Sequence, residues 1–149
     1  MGTTYDSDLA AWASEPAALL RAGRYPDLDI ENLAAEIEEV SKREAKSLRS
    51  AIREALEHLI KLQISPTPKL QADWKVLVAK QRFANADLLD DSPSLRTKMP
   101  NLFEQSWKYA REFVILGMQK SEQPTEIPVS NPFTLDQLLD ENFFPNSLK

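Results

Sequence analysis

The sequence predicts an all-α protein, a helical bundle of about four main helices followed by a short C-terminal helix, in one domain over residues 1–149. Apolar residues recur at steps of three and four over long segments, and no stretch shows the alternation typical of a strand. Prolines and a glycine fall between these segments, where helix ends are expected. A chain of this length buries a sizeable core without disulfides, so a compact bundle is the expected fold.

The first helix is expected from about Asp6 to Arg21, with Gly23 ending it in a left-handed cap. Pro16 lies inside this pattern. Because proline removes one main-chain hydrogen bond and crowds the preceding turn, we expect a kink or restart there, with Ser14 as a new N-cap. The pattern therefore predicts two short helical pieces.

One long helix is expected from Ile30 to Ile64, a stretch without glycine or proline. Asp29 is placed to cap its start, and Ser65 stands before a proline and is pushed out of the helical region. On a helical wheel of about 100° per residue, one apolar stripe follows the whole helix. The stripe is centred on Ile37, Leu48, Ala55 and Leu59.

Local signals predict three further helices. Pro93 stands at a first helical position after Ser92, and the helix that it begins is expected to break near Pro100. Thr134 and Gln137 form a capping box for the last helix. The expected ranges are Gln71–Leu89, Pro93–Met118 and Leu135–Asp140.

Composition excludes several classes of protein. The chain has no cysteine, so disulfides, thiolate metal sites and cysteine nucleophiles are excluded. It shows no signal peptide and no membrane-length apolar run, so we expect a cytoplasmic protein with no membrane contact. The formal charge is −7 over residues 1–41, +6 over residues 42–82 and −4 over the remainder. Only three glycines are present, and none lies in a phosphate-binding or dinucleotide-binding loop, so no cofactor is expected.

Several short blocks stand along the chain, in the order Ala11-Trp12, Leu19 to Arg24, Leu28-Asp29, Asn32 to Glu38, Leu48 to Ser50, His58 to Lys61, Trp74, Gln81-Arg82, Asp91 to Leu95 and Pro132 to Leu135. Together these blocks resemble a bacterial family of all-helical, uncharacterised proteins, domain-of-unknown-function family twenty-nine. The resemblance covers almost the whole chain and implies an all-helical bacterial fold without an established activity. The chain departs from the family pattern at Pro16 and at residues 66–70.

Three residues are candidates for a catalytic site. Glu44 falls inside the apolar stripe of the long helix, where a carboxylate needs a cation, and we expect Arg82 to supply it. His58, the only histidine, lies one turn after Glu54, a spacing that lets the two side chains touch and move protons. With one histidine and no cysteine, no metal site is predicted. An internal ion pair and an ordinary boundary histidine remain the structural alternatives.

Four basic residues of the long helix form a candidate binding surface, the basic ridge: Lys42, Lys46, Arg49 and Arg53. Lys75, Lys80 and Arg82 of the next helix are placed to widen it. Such a ridge suits phosphates or an acidic partner, and it is also what a solvated helix face shows.

No pattern in the chain names a reaction. We therefore expect a bacterial protein-interaction or regulatory accessory module, with an unknown protein partner or a second copy as its ligand. The alternative is a nucleic-acid-associated protein using the basic ridge. A less favoured alternative is an acid–base or metal enzyme around Glu44, His58 and Arg82. Glu36 and Glu38 cannot join His58 in one site on a straight helix, since 22 residues span about 33 Å.

Overall fold

The computed structural model describes residues 5–65, 67–118 and 127–146. Within these ranges all regular structure is helical, which confirms the predicted all-α fold of four long helices and one short helix. No helix there has the length and apolar character needed to cross a membrane. The helices are α1 (Leu9–Arg21), α2 (Ile30–Ile64), α3 (Pro68–Asp91), α4 (Met99–Met118) and α5 (Leu135–Leu139), with 3-10 turns at Tyr25–Asp27 and Pro93–Lys98.

Helix α1 begins later than expected and does not break at Pro16. Asp8 is its N-cap, with the Oδ1 atom accepting a hydrogen bond of 3.0 Å from the Ala11 amide. The predicted restart at Ser14 is wrong, because the Ser14 hydroxyl donates to the Ala11 carbonyl instead of capping a new helix. Pro16 is buried on the same face as Trp12, and this burial offsets the missing main-chain bond. Gly23 has the predicted left-handed conformation, with φ of 71°.

The other helix ends lie at or near the capping residues and prolines of the sequence, with small shifts. Helix α2 has the predicted bounds, and its Leu33 amide donates to the Asp29 carbonyl at 3.0 Å. Helix α3 starts at Pro68, three residues before the predicted start, because proline is favoured at a first helical position. The helix expected from Pro93 begins at Met99 as an α-helix, and the residues before it form a 3-10 turn.

The described residues fall into two compact units, divided between Arg43 and Glu44. The N-terminal unit holds α1 and the part of α2 that ends at Arg43. The C-terminal unit holds the rest of α2 together with α3, α4 and α5. One domain over the whole chain stays a prediction.

The core lies in the C-terminal unit. Of the predicted stripe of α2, Leu48, Ala55 and Leu59 are fully buried, whereas Ile37 is 66% exposed. Phe83 of α3 is 69% exposed as well. The main buried apolar side chains are Leu48, Ile52, Leu56, Leu59, Val78, Leu89, Leu102, Trp107, Ala110, Val114 and Leu138.

Helix α5 docks on the same unit, and its predicted capping box is confirmed. The Gln137 amide donates to the Thr134 hydroxyl at 3.1 Å, and the Gln137 side chain accepts from the Thr134 amide at 3.0 Å. Upstream, the Trp107 indole N–H donates to the Val129 carbonyl at 2.7 Å. The Trp107 bond holds the irregular segment before α5 on α4, and Leu138 of α5 is fully buried.

Candidate functional site

Arg82 forms hydrogen bonds with the C-terminal end of α5. Its side chain is only 7% exposed, and Nε donates to the Leu138 carbonyl at 2.7 Å while Nη2 donates to the Gln137 carbonyl at 2.9 Å. Carbonyls in the last turn of a helix lack intrahelical N–H donors, so the guanidinium provides the donors that these two carbonyls of α5 need. The centre of the Phe144 ring lies 5.1 Å from the guanidinium carbon. Burial lowers the pKa of Arg82, and the nearby Asp140 carboxylate opposes this shift.

Glu44 is half-buried, and no ion pair of its carboxylate occurs among the described residues. The predicted partner, Arg82, is bound to the carbonyls of α5 instead. The predicted Glu44–Arg82 ion pair is therefore wrong. Glu44 precedes the first fully buried residue of α2, Leu48, by about one turn, so its carboxylate is not enclosed and needs no buried cation.

His58 is half-buried and bonded to the main chain rather than to a carboxylate. Its Nδ1 lies 2.7 Å from the Glu54 carbonyl oxygen, and since a carbonyl only accepts, Nδ1 carries the proton. The Glu54 carboxylate accepts from the Gln81 side-chain amide at 2.6 Å. The predicted contact between the Glu54 carboxylate and the imidazole is therefore not made. Desolvation lowers the pKa of His58, and the bond to the Glu54 carbonyl opposes the shift.

The three candidate catalytic residues do not converge. Glu44 and His58 lie on one straight helix, about 21 Å apart by the rise of an α-helix. Arg82 is occupied by α5. Within the described ranges, no group of three His, Asp or Glu side chains is arranged to hold a metal ion. The part of the chain that the structure describes therefore brings no catalytic group of these residues together.

The basic ridge is partly neutralised by its own helix. In the N-terminal unit, Lys42 lies 3.2 Å from the Glu39 carboxylate. In the C-terminal unit, Arg53 lies 3.5 Å from the Glu57 carboxylate and 5.5 Å from the Phe113 ring centre. Burial raises the pKa of Glu57, and the Arg53 charge opposes the shift.

The remaining ridge residues, Lys46 and Arg49, are exposed and form no ion pair among the described residues. Of the residues placed to widen the ridge, Lys80 is exposed, and Lys75 lies over the Phe144 ring, 5.5 Å from its centre. Of the basic ridge itself, only Lys46 and Arg49 are exposed cations without an ion pair in the described chain, which is a small surface for binding phosphates.

A polar clasp joins the turn before α1 to α2 inside the N-terminal unit. The Tyr5 hydroxyl donates to one oxygen of Glu36, and Arg43 donates to the other at 2.6 Å. Both contacts lower the pKa of Glu36, the Tyr5 bond most, and the same bond raises the pKa of the Tyr5 hydroxyl. The Tyr5 ring packs edge-on against Trp12, with ring centres 5.0 Å apart.

An open apolar groove lies beside this clasp. Its volume is about 500 Å³, and Leu9 and Leu20 of α1 and Leu33 of α2 line it, together with Ala13 and Pro16. Leu9 and Leu20 are 42% and 43% exposed.

The apolar surface continues along α2 at helical steps from Leu33. Ile30, Ile37 and Val40 stand three residues before Leu33 and four and seven after it, so they share its face. They are 61%, 66% and 55% exposed. We call the set formed by Leu9, Leu20, Ile30, Leu33, Ile37 and Val40 the apolar face.

Comparison with known families decides the chain's classification. The family model described as "Domain of unknown function DUF29" matches residues 4–144, which is nearly the whole sequence. The chain belongs to this family. The resemblance expected from the sequence blocks is thereby confirmed. No curated protein matches the chain. No solved structure matches it either.

In this DUF29 chain, sequence reasoning missed the N-terminal unit as a candidate site. The spacing of Glu36 and Arg43 places them two turns apart on one face and signals their pairing. Nothing local signals that Tyr5 joins them from another element. Periodicity places Ile30, Ile37 and Val40 in one stripe with the core residues of α2, but it does not indicate which part of the stripe another helix covers.

Proposed function

We propose that this DUF29 chain is a protein-interaction module and that it binds its partner through the apolar face. The observation that carries the proposal is the exposure of Ile30, Ile37 and Val40, each more than half exposed on one face of α2. Single exposed aliphatic residues are ordinary, but contiguous exposed apolar patches mark interaction surfaces. These three continue into the groove through Leu33, so the patch is contiguous.

The contrast within α2 supports this proposal. In the C-terminal unit the same stripe is core, with Leu48, Ala55 and Leu59 fully buried by neighbouring helices. In the N-terminal unit only Trp12 and Pro16 are buried among the described residues. An apolar helix stripe is stable when another element covers it. Among the residues that the structure describes, the N-terminal unit has two α-helices and no third helix over this stripe.

The alternatives have less support. For nucleic-acid binding, the ridge offers Lys46 and Arg49 as unpaired cations in the described chain, while Lys42 and Arg53 are paired with carboxylates. For catalysis, Arg82 and His58 are bound to main-chain carbonyls.

The test is affinity capture from a lysate of the producing cells, comparing the wild-type chain with Val40→Glu. The matched control is Val76→Glu, because Val40 and Val76 are each 55% exposed and lie on different units. We expect a set of proteins that the wild type and Val76→Glu retain and Val40→Glu loses, in lysate treated with nuclease. The same proteins on all three baits would contradict the proposal. Recovery that nuclease abolishes would favour the basic ridge instead.

A further inference from the structure

We infer that the ligand of the apolar face is a cationic amphipathic helix of a partner protein. This inference rests on the proposed function and names the chemistry of the partner. It follows from two independent features of the N-terminal unit, the shape of its apolar face and the charges that border it.

The shape of the face suits a helix. The four anchors of α2, Ile30, Leu33, Ile37 and Val40, form a straight row of about 15 Å at 1.5 Å per residue. The row runs beside a groove between two helices, and such a groove accepts the side-chain ridge of a third helix. Amphipathic helices bind in this way through anchors spaced three, four and seven residues apart.

The border of the face is acidic. Glu31 and Glu38 each follow an exposed isoleucine, which places both carboxylates about 100° around the helix from Ile30 and Ile37, on the same side. Both are exposed, and neither forms an ion pair in the described residues. The other flank carries Glu36, whose charge is already met by Arg43. The unsatisfied charge along the face is therefore negative.

The whole unit carries the same sign. The described residues of the unit, 5–43, contain nine acidic side chains against four basic ones, and Arg24, Lys42 and Arg43 each form an ion pair within the unit. Nucleic acid and an anionic membrane surface are repelled by such a surface. A second copy would place a formal charge of −5 over residues 1–43 against an identical charge. A helix with lysine or arginine beside its apolar row matches both the shape and the charge.

The test uses two labelled peptides of equal length with leucines at the same helical spacing. In the first peptide, lysine occupies the positions between the leucines. In the second peptide, glutamate occupies the same positions. Fluorescence anisotropy with the full chain at low salt is expected to show about tenfold tighter binding of the lysine peptide, the effect of two exposed ion pairs. Added salt is expected to reduce the difference. The peptide's circular dichroism should gain helical signal on binding.

Charge reversal gives the decisive comparison. The double variant Glu31→Lys, Glu38→Lys is expected to prefer the glutamate peptide. The matched control, Glu104→Lys, Glu112→Lys, changes two exposed carboxylates of α4 and should leave the preference unchanged. Unaltered thermal unfolding of each variant shows that the fold is intact.

Failure of this inference is distinguishable from failure of the proposed function. Equal affinity for both peptides, lost in Val40→Glu, would overturn the charge selection and leave the apolar face as a binding site. A dimer in sedimentation that Val40→Glu dissociates would assign the face to a second copy and overturn the inference. Peptide binding and lysate capture that are both unaffected by Val40→Glu would overturn the proposed function as well.

Discussion

Replacing Arg82 by methionine tests the assignment of this residue to the docking of α5. Methionine retains the apolar stem and removes the donors to the Leu138 and Gln137 carbonyls, at 2.7 and 2.9 Å. A hydrogen bond to a charged group contributes about 1.5–3 kcal/mol, and a buried carbonyl left unpaired costs about 1–3 kcal/mol. Water can replace the donor at Gln137, which is half-buried, but not at the buried bond to Leu138. We expect a loss of about 3 kcal/mol in the free energy of unfolding.

The assay is urea unfolding followed by tryptophan fluorescence and circular dichroism. A loss of this size lowers the midpoint by about 1–2 M when the slope is unchanged. Arg96→Met is the matched control, because Arg96 is exposed on the turn before α4, and it should alter the free energy by less than about 0.5 kcal/mol. Hydrogen exchange at the Leu138 amide gives a local readout. A wild-type midpoint together with wild-type exchange in Arg82→Met would refute the assignment.

Three further predictions use the same unfolding measurement. Leu48→Ala should destabilise by about 2–5 kcal/mol and Ile37→Ala by less than about 0.5 kcal/mol, since the first side chain is fully buried and the second is 66% exposed; equal losses would contradict the exposure of the N-terminal stripe. The pKa of His58 is lower in the folded chain than in the unfolded chain, so on acidification the unfolded chain binds a proton at His58 at a higher pH than the folded chain does. The free energy of unfolding should therefore fall as the pH drops below the ordinary pKa of histidine. Between pH 7.5 and pH 5.5, the free energy of unfolding of His58→Gln should fall by less than that of the wild type. An equal fall in both proteins would refute the lowered pKa of His58. Glu44→Ala should alter the free energy by less than about 0.5 kcal/mol, because its carboxylate has no ion pair in the described chain; a loss of several kcal/mol would indicate a buried cation beside it.

The elements of the fold were predictable where local chemistry specifies them. The bounds of α2 follow from the cap at Asp29 and the proline after Ser65, and the start of α5 follows from the capping box of Thr134 and Gln137. These signals act within a few residues, so no tertiary knowledge is needed. At Pro16 the local signal does not decide the structure. Its helix-breaking tendency is local, but its burial beside Trp12 is tertiary, and the tertiary term prevails.

The candidate site was less predictable, because its contacts join distant parts of the chain. The sequence predicts Arg82 as the partner of Glu44, yet the partners of Arg82 are the carbonyls of a segment more than 50 residues later. No pattern around Arg82 indicates where that segment docks. The spacing of Glu54 and His58 predicts a contact with the Glu54 carboxylate, but the same spacing equally allows the contact with the Glu54 main-chain carbonyl that the structure shows.

The exposure of the apolar face follows from the number of helices in the N-terminal unit. An apolar stripe on a helix is about 100° wide or more, and one neighbouring helix covers only a flank of it. Helix α1 lies beside the flank that carries Leu33 and Glu36, since it lines the groove with both, and Tyr5, before α1, donates to Glu36. Ile30 and Ile37 lie on the remaining width of the stripe and stay exposed. A third helix is the element that would cover them, and since the carboxylates beside them are unpaired in the described chain, that helix is best matched when it brings positive charge.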